Sequence, residues 1–306
     1  MALRRILRPV LDKAIVTLPD KTVNALTIDV EDYFQVTAFE SVVSREQWGG
    51  FPSRVVANTR WLLELFAKKQ VFGTFFVLGW VAEKFPDLVR EIDDAGHELG
   101  SHSYWHRLVY EQSPEEFRED LRRSKKAIEN IIGKPISCYR APTFSIVERS
   151  KWALEILVQE GFTIDSSIFP IARHDRYGIP SSPRGIHQIE TPSGPIWEAP
   201  LSVGRFLGLV LPASGGGYFR FYPFAMTQRL FRNVHAAGRS VIFYLHPWEI
   251  DPDQPRVQNI SRNARFRHYI NLRRTPNKLK QMLENHQFAP LGRLVARHVE
   301  KHRGSV

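Results

Sequence analysis

The sequence predicts an α/β fold, a closed or nearly closed barrel of parallel strands with helices outside it. Two observations carry this prediction. Between residues 24 and 250, short apolar runs alternate with amphipathic stretches, the order of repeated βα units. Seven such runs fall within one continuous body, which a single barrel accommodates better than two separate domains.

The expected strands are Asn24–Asp29, Gly73–Leu78, His97–His102, Ser137–Arg140, Thr163–Ser166, Ile196–Ser202 and Ser240–His246. Helical periodicity marks Val55–Lys69, Pro86–Ala95, Pro114–Ile132, Arg149–Glu160 and Pro223–Ala237 between them. Two further helices, Pro276–Asn285 and Leu291–Lys301, are expected after the last strand. Two irregular stretches break the rhythm: Ser166–Pro195, rich in Pro, Gly, Ser and Arg, and Pro212–Gly217, with its Gly triplet. Both are long enough to serve as loops over a site.

Residues 1–20 space Leu3, Ile6, Leu7, Val10 and Leu11 helically, with Arg4, Arg5, Arg8 and Lys13 between them. Such a segment can lie on a membrane surface or pack on the body. Pro9 interrupts it and no small-residue cleavage site follows, so a secretory signal is not expected. No apolar run reaches the roughly 18 residues of a spanning helix. The expected location is the bacterial cytoplasm or the cytoplasmic face of the inner membrane. The domain reading is an amphipathic extension (1–23), a barrel (24–250) and a basic C-terminal extension (251–306).

The chain has 306 residues and a formal charge of +10. From Arg256 to Val306 there are 12 Lys/Arg and two acids, so the other 255 residues are neutral. The basicity belongs to the tail, which is expected to meet anionic lipid, acidic polymer or a partner. No zinc finger, RNA-binding signature or helix-turn-helix pattern accompanies it, so nucleic acid is not expected. A single cysteine, Cys138, excludes a disulfide framework and a cysteine-based zinc cluster.

In a barrel of parallel strands, chemistry gathers where the strands end, and here those ends are polar. The first strand runs into Asp29-Val30-Glu31-Asp32, three carboxylates whose repulsion a cation or an arginine relieves. The third leads into His102-Ser103-Tyr104-Trp105-His106. Two imidazoles at this spacing meet on one face if the segment is a helical turn, and can then share a metal. Arg140 ends the fourth strand, and a guanidinium entering a barrel mouth needs an acidic partner such as Asp29. Asp165 ends the fifth strand, and His246 follows the apolar run Val241–Leu245 of the seventh. One carboxylate and two imidazoles leave a divalent metal with open positions, as in hydrolytic sites. An uncoordinated carboxylate can take a proton from water there, and another histidine can protonate a departing amine.

Thr27-Ile28-Asp29, His102-Ser-Tyr-Trp-His106, Arg140-Ala-Pro-Thr-Phe144, Asp165-Ser-Ser and Leu245-His246 resemble, in order, the five motifs of NodB-homology polysaccharide deacetylases, carbohydrate esterase family four. The resemblance covers residues 24–250. The strings DVEDYFQV, GWVAEKFP, RAPTFS and YLHPWE are most similar to deacetylases of exosortase-associated exopolysaccharide loci. Residues 251–306 would then be the counterpart of their C-terminal extension.

The resemblance implies a distorted (β/α)7 barrel and a divalent metal, zinc or else cobalt, nickel or manganese, held by His102 and His106. It implies Asp29 as base, Arg140 as the residue that keeps it charged and oriented, and His246 as acid. Asp165 would set the tautomer of His246, and a backbone N–H near Phe144 would meet the oxyanion. The family's first motif has two adjacent aspartates, the second a metal ligand, but Val30 stands in that place here. Glu31 or Asp32 must then supply the carboxylate. An extended strand points Asp29 and Glu31 to one face and favours Glu31, whereas a turn beginning at Val30 favours Asp32. Trp105, Trp248 and Phe144 are the aromatic candidates for substrate contact.

The expected function is metal-dependent removal of N-acetyl groups from the amino sugars of a polysaccharide or its lipid-linked precursor, in exopolysaccharide biosynthesis. Two alternatives are a metal-dependent amidase acting on a small non-sugar amide, and a non-catalytic sugar-binding subunit of a polysaccharide assembly complex. Asp29, Arg140 and His246 argue against the latter, because binding alone needs neither base nor acid.

Overall fold

A computed structural model describes residues 22–172 and 176–303. The amphipathic segment expected at the N-terminus falls, through residue 21, outside the described residues.

Seven parallel strands run side by side. In chain order they are β1 (Val23–Val30), β2 (Thr74–Val77), β3 (Glu98–Ser101), β4 (Cys138–Tyr139), β5 (Ile164–Asp165), β7 (Gly194–Glu198) and β10 (Ile242–Leu245). The hydrogen-bonded order is β10-β1-β2-β3-β4-β5-β7, with β6 (His187–Thr191) antiparallel on β7 at the edge. Each expected strand overlaps an observed one. The sequence pattern does not mark β6, whose His-Gln-Ile-Glu-Thr has one apolar residue, or the hairpin β8 (Val203–Phe206) with β9 (Leu209–Pro212).

The ladders leave the ring open between β7 and β10. Side chains and turns lace that seam. Ile242 N donates to Ser202 Oγ at 2.9 Å, and Tyr244 N donates to the Ser214 carbonyl at 2.7 Å. Gly215, at φ 133°, bridges Tyr244 so closely that a Cβ there would stand 2.0 Å from the Tyr244 oxygen.

Inside the ring, Ala25, Phe76, Cys138, Ile164, Ala199 and Ile242 form one apolar cluster with Leu291, Leu294, Val295 and Val299. The last four belong to the C-terminal helix Leu291–Arg303, which closes the floor of the barrel. The preceding β11 (Gln287–Ala289) pairs with the start of β1, and Leu291 N donates to Thr74 Oγ1 at 2.7 Å.

The remaining helices are α1 (Val55–Lys69), α2 (Gly79–Lys84), α3 (Pro86–Asp94), α4 (Pro114–Ile132), α5 (Trp152–Gln159), α6 (Gly216–Phe221), α7 (Phe224–Ala236), α8 (Arg262–Tyr269) and α9 (Thr275–Asn285), with α10 the floor helix. Local chemistry sets their ends. Ser113 and Glu116 form a reciprocal capping box before α4, Pro114 occupies its first turn, and Gly133 ends it at φ 67°. The helix expected from Arg149 begins only at Trp152, because Glu148–Ser150 forms a separate 3-10 turn. Among the described residues, no helix is long and apolar enough to cross a membrane.

Candidate active site

The site is built at the C-terminal ends of the strands. β1 carries Thr27, Asp29 and, just beyond it, Glu31 toward one side. Arg140, at the end of β4, reaches across the ring and is completely buried. Its Nη1 donates to Asp29 Oδ1 at 2.8 Å and to Thr27 Oγ1 at 2.6 Å, while Nε and Nη2 reach the Ser166 carbonyl and hydroxyl. A guanidinium keeps its charge when buried, so these partners are what makes its position tolerable.

On the other side of Asp29 stands His246, whose Nε2 lies 3.8 Å from Asp29 Oδ2 and 3.5 Å from Glu31 Oε1. Burial alone would lower the pKa of this imidazole. The carboxylates of Glu31, Glu249 and Asp29 outweigh it and raise the value to about 9.

Glu31, His102 and His106 bring one donor atom each to within 4.8 Å of one another, and all three are buried. The Glu31 carboxylate touches His106 Nε2 at 2.8 Å, and its other oxygen accepts from Trp248 Nε1 at 3.1 Å. Burial pushes Glu31 up, but the charges of His106 and His246 together with the contact to His106 bring it down to about 2. His102 Nδ1 donates to the Arg140 carbonyl at 2.8 Å, which leaves its Nε2 lone pair toward the cluster. Burial lowers this imidazole to about 4, so it is neutral at ordinary pH. One buried carboxylate and two imidazoles, one with its outer nitrogen held by a carbonyl, fit a divalent metal of the zinc type.

The two histidines do not meet through a helical turn, as the spacing suggested. Residues 102–108 form an irregular loop with Ser103 at φ 65° and His106 at φ 53°. Asp120 of α4 pins this loop by accepting from the N–H groups of Tyr104 and Trp105 at 2.6 and 3.1 Å.

Asp32, the other carboxylate considered for the metal, is turned away. Its oxygens accept from Ser53 Oγ and from the backbone N–H groups of Tyr33, Arg54 and Val55, so it caps the entry to α1. β1 ends at Val30, where Glu31 N donates back to the Asp29 carbonyl at 3.0 Å, and Glu31 still meets His102 and His106.

Asp165 does not reach His246. It lies opposite Glu198 in the ladder, and its Oδ1 accepts from Ser167 Oγ. Burial raises both carboxyl groups, Glu198 the more, and each acts on the other. The partner of His246 Nδ1 is instead Glu249, at 2.7 Å. The signal for it is local: a Glu three residues after His246, the spacing of a capping box, which the 3-10 turn Pro247–Ile250 uses.

The aromatic candidates separate. Trp105 packs against Trp48, Tyr104 and Arg123 and is absent from the cavity wall. Trp248 lines the cavity and stacks with His246 at 5.1 Å and His268 at 4.1 Å between ring centroids, with the Arg220 guanidinium also over its ring. Its indole N–H reaches Glu31 Oε1 at 3.1 Å, so it also supports the site. Phe144 lines the cavity at φ 53°, edge-on to Tyr244. Its N–H already donates to the Ala141 carbonyl at 3.0 Å, which removes that amide as an oxyanion donor.

These groups face a cavity of about 400 Å³ whose far wall includes Ser261, Asn263, Ala264, Arg267 and His268 from the C-terminal segment. Part of the basic tail thus lines the site, a placement its charge pattern did not reveal.

Residues 49–163 match the polysaccharide deacetylase family, and residues 166–296 match a domain of unknown function, DUF3473. The chain is similar to a peptidoglycan-N-acetylglucosamine deacetylase of Bacillus cereus, 33% identical over 95 residues, which are 31% of this chain and 34% of the relative. It is also similar to a peptidoglycan deacetylase of Helicobacter pylori, 34% identical over 107 residues, 35% of this chain and 36% of the relative. The matched segment therefore spans only about a third of those relatives. A crystal structure from Mycobacterium smegmatis, of a protein proposed to be a polysaccharide deacetylase, superposes with a TM-score of 0.56 at 22% identity. It covers 94% of both chains and shares the fold. The family match and the named relatives support the polysaccharide deacetylase family. The candidate site straddles the matches: His102, His106 and Arg140 fall in the first, and His246, Trp248 and Glu249 in the second. Asp29 and Glu31 precede both.

Proposed function

We propose that this polysaccharide-deacetylase-like chain hydrolyses the N-acetyl groups of amino sugars in a polysaccharide. The observation that carries the reading is the position of Asp29. It is tied to Arg140 on one side, faces His246 Nε2 at 3.8 Å on the other, and adjoins the Glu31–His102–His106 cluster.

Glu31, His102 and His106 would hold a divalent cation, which we take to be zinc. When bound there, such an ion supplies Lewis acidity toward an amide carbonyl and activates water. The chain's own residues supply the proton transfers. Asp29, fixed by Arg140 Nη1 at 2.8 Å, takes a proton from the attacking water. His246 gives its Nε2 proton to the sugar nitrogen as the C–N bond breaks. Water's oxygen leaves in acetate, and the proton taken by Asp29 balances the one given up by His246.

We further assign the substrate to an exopolysaccharide or its lipid-linked precursor, on the sequence strings that resemble exosortase-associated deacetylases. The basic C-terminal segment would assist by meeting an anionic surface or polymer. The test is acetate release from N-acetylhexosamine oligomers compared with small non-sugar acetamides, before and after chelation and metal return. Turnover on oligomers, lost on chelation and restored by the metal, is expected. Turnover confined to the small amides would contradict the reading.

A further inference from the structure

Glu249 is completely buried between two groups. Its Oε1 accepts from His246 Nδ1 at 2.7 Å and from the His246 N–H at 3.1 Å, and its Oε2 accepts from Arg220 Nε at 2.5 Å. Arg220, on α6, is itself buried, and its remaining donors reach backbone carbonyls at the end of α8. Nη1 donates to the His268 and Ile270 carbonyls at 2.6 and 3.2 Å, and Nη2 to the Arg267 carbonyl at 3.0 Å. Asn271 Nδ2 returns a bond to the Arg220 carbonyl at 3.0 Å.

The last carbonyls of a helix lack intrahelical donors and carry partial negative charge, so a guanidinium placed there satisfies both. Removing two charges from water is nevertheless expensive, and an apolar pair of similar volume would generally serve stability as well. What the ion pair does that an apolar pair could not is hold one face of an imidazole. A carboxylate only accepts, so His246 must present N–H at Nδ1 to Glu249. The ring is then fixed with Nε2 toward Asp29 and Glu31. The same C-terminal segment also stacks His268 on Trp248, the second neighbour of the His246 ring.

We propose that Glu249 and Arg220 are positioning residues for His246, and that residues 267–271 belong to the same device by locking Arg220 in place. The proposal rests on the reading of His246 as proton donor. It gives the region matching the domain of unknown function a role: this segment carries the proton donor and the clamp that orients it.

The test uses the full chain as Glu249→Gln, His246→Ala and the double variant, with kcat and KM for acetate release from N-acetylhexosamine oligomers. Glu249→Gln is expected to lower kcat about 100-fold with KM changed less than about twofold, the scale of general-acid assistance. In the His246→Ala background the same change should alter kcat less than about threefold, because residues acting as a unit are not additive. A full kcat in Glu249→Gln, or an equal loss in both backgrounds, would overturn the proposal. Wild-type turnover in His246→Ala would instead sink the proton-donor reading beneath it. Should Glu249→Gln fail to fold, ¹⁵N shifts of His246 in the wild type decide: a protonated Nδ1 is expected, and a bare Nδ1 overturns it.

Discussion

Trp248 donates its indole N–H to Glu31 Oε1 at 3.1 Å, which leaves the other carboxylate oxygen free to point at His106. The indole therefore fixes the rotamer of the one carboxylate in the three-donor cluster. Losing an outer partner of this kind typically costs about 10–100-fold in metal affinity. Trp248→Phe keeps a ring against His246 and His268 but removes the N–H. Its metal affinity, measured by chelator competition, should fall about 10-fold or more. Unchanged affinity would show that Glu31 needs no such support.

The two neighbouring acids should part company on mutation. Glu31→Gln should abolish metal binding while the protein stays folded. Asp32→Ala should keep the metal but lose about 2 kcal/mol of stability, since it strips acceptors from the N–H groups of Arg54 and Val55. Metal analysis and urea unfolding of both variants check this. Metal loss in Asp32→Ala with full metal in Glu31→Gln would reverse the assignment.

Arg140→Met should be among the most damaging single changes. It leaves Asp29, 1% exposed, without its cation, and breaking a buried pair from one side costs about 3–5 kcal/mol. The urea midpoint should drop accordingly, and acetate release from the fraction still folded should fall as well. A midpoint within error of wild type would mean that Asp29 finds another partner.

His97 makes stability depend on acid. Burial among Phe66, Phe72 and Phe75 lowers its pKa from 6.5 to about 4, and its neutral Nδ1 accepts from Gly73 N at 3.2 Å. Because the folded value lies below the unfolded one, the unfolded chain takes up the proton first. Stability is complete above pH 6.5 and declines as pH falls toward 4. Between pH 7.5 and 5 this residue should account for about 2 kcal/mol. His97→Asn retains an acceptor without titrating, so its loss over that interval should be smaller by that amount. Equal losses in both proteins would exclude His97 as the source.

Much of the architecture was legible because local signals agree. Ser113, Pro114, Glu116 and Gly133 delimit α4 by chemistry that sequence displays directly. The polar strand ends were equally visible, since Asp29, His102, Arg140 and His246 each interrupt or follow an apolar run. What escaped depends on distant partners. Arg220 and Glu249 stand 29 positions apart and meet only because α6 and the turn after β10 face the same helix end. Asp165 looked like the partner of His246, but the ladder sets it opposite Glu198. Charge alone could not reveal that Arg267 and His268 of the basic tail wall the cavity, because that depends on how α8 packs.

The most direct test of the account is Asp29→Asn, assayed together for bound metal and for acetate release from N-acetylhexosamine oligomers. The substitution removes the base but leaves Glu31, His102 and His106 intact. Metal content should remain that of the wild type while kcat falls at least about 100-fold. Acetate release at the wild-type rate would contradict the assignment of Asp29, and with it the proposed hydrolysis.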